Sequence, residues 1–449
     1  MKKPGELSAA IMLAAMMAAA CGAHPANAQK AATAESGRHA LDMTVVKPES
    51  VGFSTGRLER LHAVMQKAVD DKQLAGIVTI LARHGKVVDY RAYGMRDMAS
   101  GAPMTKDTIF RDYSMTKPVT AVAMMILFEE GKWLPNDPIA KYVPEFAHLK
   151  VYAGTDASGN IKLVEPDHPP TMHELMSHTA GFTYGLFGET PVDKMVRDAK
   201  LFASANLQEF IDKLARLPLL YQPGKGWTYS VSMDIEGYIV EKLSGQSLPD
   251  FMRDHIYQPL SMRDAGFYVP AEKWGRFATV YYTDPNGALT TTPRGSVNPR
   301  DYSKLPGMAS GGGGMVSTAE DYYRFAQMLG DGGELNGQRI LAPATVKLMT
   351  TNHVPEPLLT QGFGIGWQQI RPGFGYGYNC AVEYDPQEAN LPDGKGTFLW
   401  DGAAGTWFWV DPTNDLVFVG MIQRIGGGDP NVQYLSRSLV YQALVDPSK

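Results

Sequence analysis

Cysteine is almost absent: the 449 residues hold two, Cys21 and Cys380, so no disulfide framework organises this chain and its stability rests on a packed core. Strong charge of one sign is missing too. A formal net charge of -5, without a long run of lysine or arginine, leaves no electrostatic footprint for nucleic acid. No stretch after the leader is apolar over the roughly 20 positions a membrane-spanning helix needs, so no integral membrane segment is expected in the mature chain. A repeat period is lacking, which sets aside solenoids and propellers. G-x-S-x-G occurs nowhere, which removes the nucleophile elbow of the α/β-hydrolases and the anchor of a Ser-His-Asp reading.

What remains is ordinary globular composition, 44% hydrophobic and 20% charged, suited to a large core and a small-molecule partner. The start of the chain stands apart. Lys2 and Lys3 precede an apolar stretch from Leu7 to Ala20, and Ala26-Asn27-Ala28 forms a small-residue cleavage site. Residues 1–28 are therefore expected to be a signal peptide, giving an exported, periplasmic or secreted protein beginning at Gln29. Ala18-Ala19-Ala20-Cys21 is a weaker lipoprotein box. Cleavage after Ala28 removes Cys21 and leaves Cys380 alone.

Periodicity places the main elements. Leu58, Leu61, Met65 and Ala68 recur at helical spacing after Ser54, a residue able to cap a helix. Residues 76–94 hold two β-rich runs around His84-Gly85, the spacing of a hairpin. TWFWV (406–410) and LVFVGMI (416–422) flank DPTND and are apolar on both faces, which predicts strands in a sheet covered on each side. Residues 432–445 have the period of a covering helix. Between these ends, about 134–306 reads as a mostly helical lobe inserted into an α/β lobe of about 45–133 and 307–449, together one domain over about 45–449. Gly311 to Gly314 lack the Gly-Lys-Ser/Thr of a phosphate loop, and Ser317-Thr318-Ala319-Glu320 reads as a capping box opening a helix over about 319–329.

The chemistry centres on YSMTKPVT, residues 113–120. Pro118 is tolerated only in a first helical turn, so a helix begins near Ser114 and runs to Gly131. Spacing i to i+3 sets Lys117 on the same face, within reach of the hydroxyl. To accept a proton, Lys117 must lose its charge, and burial together with the positive helix end pushes that way. His173 and His178 imitate a zinc-protease pair, but i to i+5 spacing puts them roughly 140° apart on a helix. No metal and no cofactor are expected; His178 is expected to fasten the turn HTAGF instead.

With SHTAGF (177–182), PGKGWTYSVSMDIEGYIVEKLSG (223–245), SGGGGMVSTAEDYYRF (310–325), GFGIGW (362–367) and WDGAAGTWFWVDP (400–412), the chain resembles the penicillin-recognising serine hydrolases, most closely family VIII carboxylesterases and class C β-lactamase-like proteins. The resemblance implies a β-lactamase-like α/β fold: an antiparallel sheet covered by N- and C-terminal helices plus a helical lobe, with the active site between them. It implies Ser114 as nucleophile, with Lys117 and Tyr229 as the proton-transfer pair. The N–H groups of Ser114 and Ala403 would form the oxyanion hole, and Gly402 would let the chain approach the substrate.

Two departures bear on substrate. Val231 stands at the asparagine of Y-x-N, and Trp400 at the lysine of K-T-G, which removes an amide and a cation and favours small neutral esters. The Trp400 indole would offer apolar area and one N–H to such a substrate. Tyr113, Tyr184, Phe187 and Trp227 are candidates to line an aromatic cleft, and Arg424 is a candidate to restore the missing charge. The function so implied is a serine carboxylesterase. Its alternatives are a β-lactamase, a D-amino-acid peptidase or amide hydrolase, an acyltransferase, or a non-catalytic module on the same scaffold.

Overall fold

The computed structural model describes residues 41–293, 300–360, 364–365, 368–369, 372–426 and 431–449. The signal-peptide reading of residues 1–28 and most of GFGIGW lie outside them. Ala40–Lys449 forms one compact unit. Among the described residues no helix is long and apolar enough to cross a membrane.

Helix α1 (Thr55–Asp70) starts where the Ser54 side chain accepts the Arg57 N–H, and it buries Leu58, Leu61, Met65 and Ala68. Strands β1 (Gly76–Arg83) and β2 (Lys86–Asp97) follow. Their two-residue turn has φ of 55° at His84 and 65° at Gly85, the left-handed pair that matches strand twist. Strand β3 is Ala102–Pro103 and α2 spans Thr116–Glu129. Later come α3 (Ser232–Ser244) and α4 (Ala319–Gly330). The chain then returns to the sheet with β4 (Phe374–Tyr376), β5 (Ala381–Glu383), β6 (Phe398–Asp401), β7 (Trp407–Asp411) and β8 (Leu416–Met421), and α5 (Val432–Ala443) closes it.

One sheet holds all eight strands in the order β4-β5-β6-β7-β8-β1-β2-β3, every pairing antiparallel. First and last parts of the chain thus meet along β1 and β8. Strand alternation sorts the side chains of β8 between two layers. Leu416 and Phe418 join Trp407, Trp409, α1 and α5 on one face. Val417, Val419 and Met421 join α2 and α4 on the other. Helices on both sides explain why β7 and β8 are buried along their whole length.

One local expectation is corrected. Helix α4 is capped by Thr318, whose Oγ1 accepts the Asp321 N–H at 3.1 Å. Ser317 does not cap it. Its hydroxyl instead donates to Asp112 Oδ1 at 2.8 Å, tying the start of α4 to the segment that carries Ser114.

Candidate active site

The turn bearing Ser114 is forced into place by the residue before the serine. Tyr113 has φ of 46°, a left-handed conformation that costs a non-glycine residue on the order of 1–3 kcal/mol and persists only where its surroundings over-determine it. Here Asp112 supplies the restraint. Its carbonyl accepts the Met115 N–H at 3.1 Å and the Thr406 hydroxyl at 3.1 Å, while its fully buried carboxyl takes the Ser317 bond and is pushed up to about 8 by desolvation. Tyr113–Met115 then forms a 3-10 turn that runs directly into α2.

Lys117, one residue into α2, brings its Nζ 3.0 Å from Ser114 Oγ and 2.6 Å from the Gly312 carbonyl. The side chain is 1% exposed. Desolvation pushes its amine down to about 7, against the pull of Asp234, while Arg300 adds to the depression. A neutral amine is therefore available near neutral pH. The same Nζ lies 4.4 Å from the Tyr229 ring centre and 5.3 Å from that of Tyr184.

Tyr229 stands in an aromatic cage. Ring centres of His178, Tyr184, Trp400, Phe187 and Trp227 lie 5.0, 5.3, 5.5, 6.0 and 6.4 Å from its own. Burial raises the phenol far above its ordinary range, and bonds with Ser114 and Trp400 partly counter that. His178 is held neutral by desolvation. Its Nδ1 pairs with Ser230 Oγ at 2.9 Å, and its carbonyl accepts the Thr228 N–H, so it fastens the HTAGF turn to the Tyr229 segment. His173 has a different partner, the Tyr378 hydroxyl at 3.0 Å.

The far wall is the β6–β7 hairpin. After Asp401 the chain turns through Gly402 to Gly405, with Gly402 N–H bonded to Thr406 O at 2.8 Å. Neither the Ser114 N–H nor the Ala403 N–H donates a hydrogen bond within the described residues.

Other residues singled out from the sequence have protein partners of their own. Gly402 is required by the protein itself: a Cβ there would sit 2.2 Å from Asp112 O and 2.4 Å from Thr406 Oγ1. Val231, the residue just before α3, is wholly buried in the main core. Tyr113 packs with Val280, Tyr282, Ala404 and Ile425 and shapes the site through its backbone. The Trp400 indole N–H is directed at the Tyr229 hydroxyl, at 3.4 Å. Arg424 donates from Nε to Thr283 Oγ1 at 3.0 Å. Tyr184, Phe187 and Trp227 do gather around Tyr229. No sequence pattern marks Asp112 or Asp234, and Gly312 is marked only as part of the four-glycine run.

A family model described as Beta-lactamase matches residues 61–440. Protein Rv1367c of Mycobacterium tuberculosis is 35% identical over 371 residues, covering 82% of this chain and 90% of its own. Esterase EstB of Burkholderia gladioli is 32% identical over 391 residues, covering 82% and 92%. Among solved structures, EstCE1, described as a hydrolase with promiscuous acyltransferase activity, superposes with a TM-score of 0.71 at 30% identity over 86% of this chain and 98% of its own. With a match over most of its length and these relatives, the chain belongs to the β-lactamase family, among the penicillin-recognising serine hydrolases.

Proposed function

We propose that this protein is a carboxylesterase that cleaves small neutral esters through an acyl-enzyme on Ser114. The observation that carries the reading is the buried Lys117 amine 3.0 Å from Ser114 Oγ, brought down to about 7. EstB and EstCE1 support the choice of ester hydrolysis. In this reading the α/β and helical lobes enclose the cleft between them.

Neutral Lys117 takes the Ser114 proton as Oγ attacks the ester carbonyl carbon. The resulting oxyanion is held by the Ser114 and Ala403 N–H groups. When the C–O bond breaks, the departing alkoxide takes the Tyr229 hydroxyl proton, and Lys117 returns the proton it holds to Tyr229. Water then attacks the acyl carbon by the same route in reverse and frees Ser114. A phenol raised so far by burial is a proton carrier, which leaves Lys117 as the base. The rate constant kcat/KM should therefore rise with pH through about 7, as Lys117 loses its proton.

Substrate charge is decided at Trp400. An unpaired carboxylate in a partly dry cleft costs about 2–5 kcal/mol, enough to separate substrate classes. Wild type is expected to favour p-nitrophenyl butyrate over nitrocefin in kcat/KM, and Trp400→Lys to move that ratio toward nitrocefin. A wild type that already prefers nitrocefin, or a ratio the lysine leaves unmoved, refutes the assignment. Export completes the proposal: N-terminal sequencing of protein recovered outside the cytoplasm should begin at Gln29, whereas a lipid-modified Cys21 would identify the other processing site.

A further inference from the structure

Asp234 has no part in the steps above, yet it is a fully buried carboxyl in the first turn of α3. One oxygen, Oδ1, accepts the Ser310 hydroxyl at 2.5 Å and the Gly312 N–H at 3.3 Å. The other, Oδ2, has no hydrogen-bond partner among the described residues. The residue it grips by its N–H is the one whose carbonyl, in the next peptide, holds the lysine: Lys117 Nζ donates to the Gly312 carbonyl at 2.6 Å. From the opposite side Thr120 Oγ1 of α2 donates to the Gly311 carbonyl at 2.7 Å. The glycine loop is thus clamped between α2 and α3, and only glycine fits: a Cβ on Gly312 would stand 2.6 Å from Tyr184 Oη and 3.0 Å from Asp234 Oδ2.

We propose that Asp234 is a positioning residue for Lys117, fixing the Gly312 carbonyl that receives Nζ and placing a carboxylate charge beside the amine. The inference rests on the reading of Lys117 as the base. Groups facing that amine come from every neighbouring element: Ser114 from its own turn, Tyr184 and His178 from the loop before α3, Tyr229, Asp234 and Glu236 from α3 and its approach, Asp401 from β6, and Arg300. Of the carboxyls among them, Asp234 acts most strongly on Lys117. Burial raises Asp234 as well, but the Ser310 hydroxyl, Arg300, Lys117 itself and the Gly312 N–H favour its charged form. Glu236 is pushed up to about 8 by burial, with the Asn379 amide as a hydrogen-bond donor to it, and is mostly neutral where Lys117 titrates.

The sign follows from the charge. An anion near Lys117 favours its protonated form, so neutralising Asp234 makes the amine lose its proton at lower pH. Two variants test this: Asp234→Asn removes the charge, and Ser310→Ala removes the shorter bond that stabilises it. The readout is the second-order rate of fluorophosphonate labelling of Ser114 across pH, with thermal unfolding recorded for each variant. Both variants should shift the acid limb of that profile downward, Asp234→Asn by about one pH unit, and either one that folds suffices. A limb at the wild-type pH in both, whatever the loss in amplitude, assigns Asp234 a purely structural role and overturns the inference. Wild-type Ser114 that never labels overturns the esterase reading itself, and this inference with it.

Discussion

Lys117→Ala is expected to lower kcat for p-nitrophenyl butyrate by at least about 100-fold, the usual scale of a lost general base. Removing the amine deletes the proton acceptor 3.0 Å from Ser114 Oγ and leaves the Gly312 carbonyl without the Nζ donor. Tyr229→Phe should cost a comparable factor, because the phenol is the path to the leaving group. The two losses should not multiply. Lys117 Nζ lies 4.4 Å from the Tyr229 ring centre, and the phenol bonds with Ser114, so the residues act as one unit and the double variant should be little slower than the worse single one. Steady-state kinetics on the two single variants and the double variant decides it. A double variant as slow as the product of both losses would show independent roles.

The second large effect comes from adding one methyl group. Gly402→Ala forces a Cβ against Asp112 O and Thr406 Oγ1, at 2.2 and 2.4 Å, and neither partner is free to move. Asp112 holds the strained turn before Ser114, and Thr406 closes the turn between β6 and β7. The hairpin must therefore shift away from Ser114 and carry the Ala403 N–H with it. Loss of one oxyanion donor commonly costs about 100- to 1,000-fold in kcat. That fall is expected here with the protein still folded, checked by kcat and thermal unfolding on the same sample. Near-wild-type kcat would mean that the Ala403 N–H does not serve the reaction.

These effects trace back unevenly to the sequence. The hairpins and covering helices were legible because the signal was local. Trp409 and Phe418 sit in runs apolar on both faces, and only a sheet covered twice buries both. Ser114 and Lys117 were legible because helical spacing alone brings i and i+3 together. Side-chain direction at the loop-to-helix joints was not. Val231 and Tyr113 occupy positions next to the site, but the turn into α3 and the left-handed φ aim their side chains into the protein. Gly402 looked like a glycine needed by a ligand, and its crowding neighbour is a carbonyl 290 positions earlier in the chain. Asp234 and Gly312 meet only when α2, α3 and the glycine loop converge, a contact without a sequence period.

The most direct test of the account is the identity of the acylated residue. Purified protein treated with a fluorophosphonate probe, digested and read by mass spectrometry should carry one adduct, on the peptide containing Ser114. Ser114→Ala should lose both the adduct and the turnover of p-nitrophenyl butyrate. An adduct on another residue, or full esterase activity in Ser114→Ala, would contradict it.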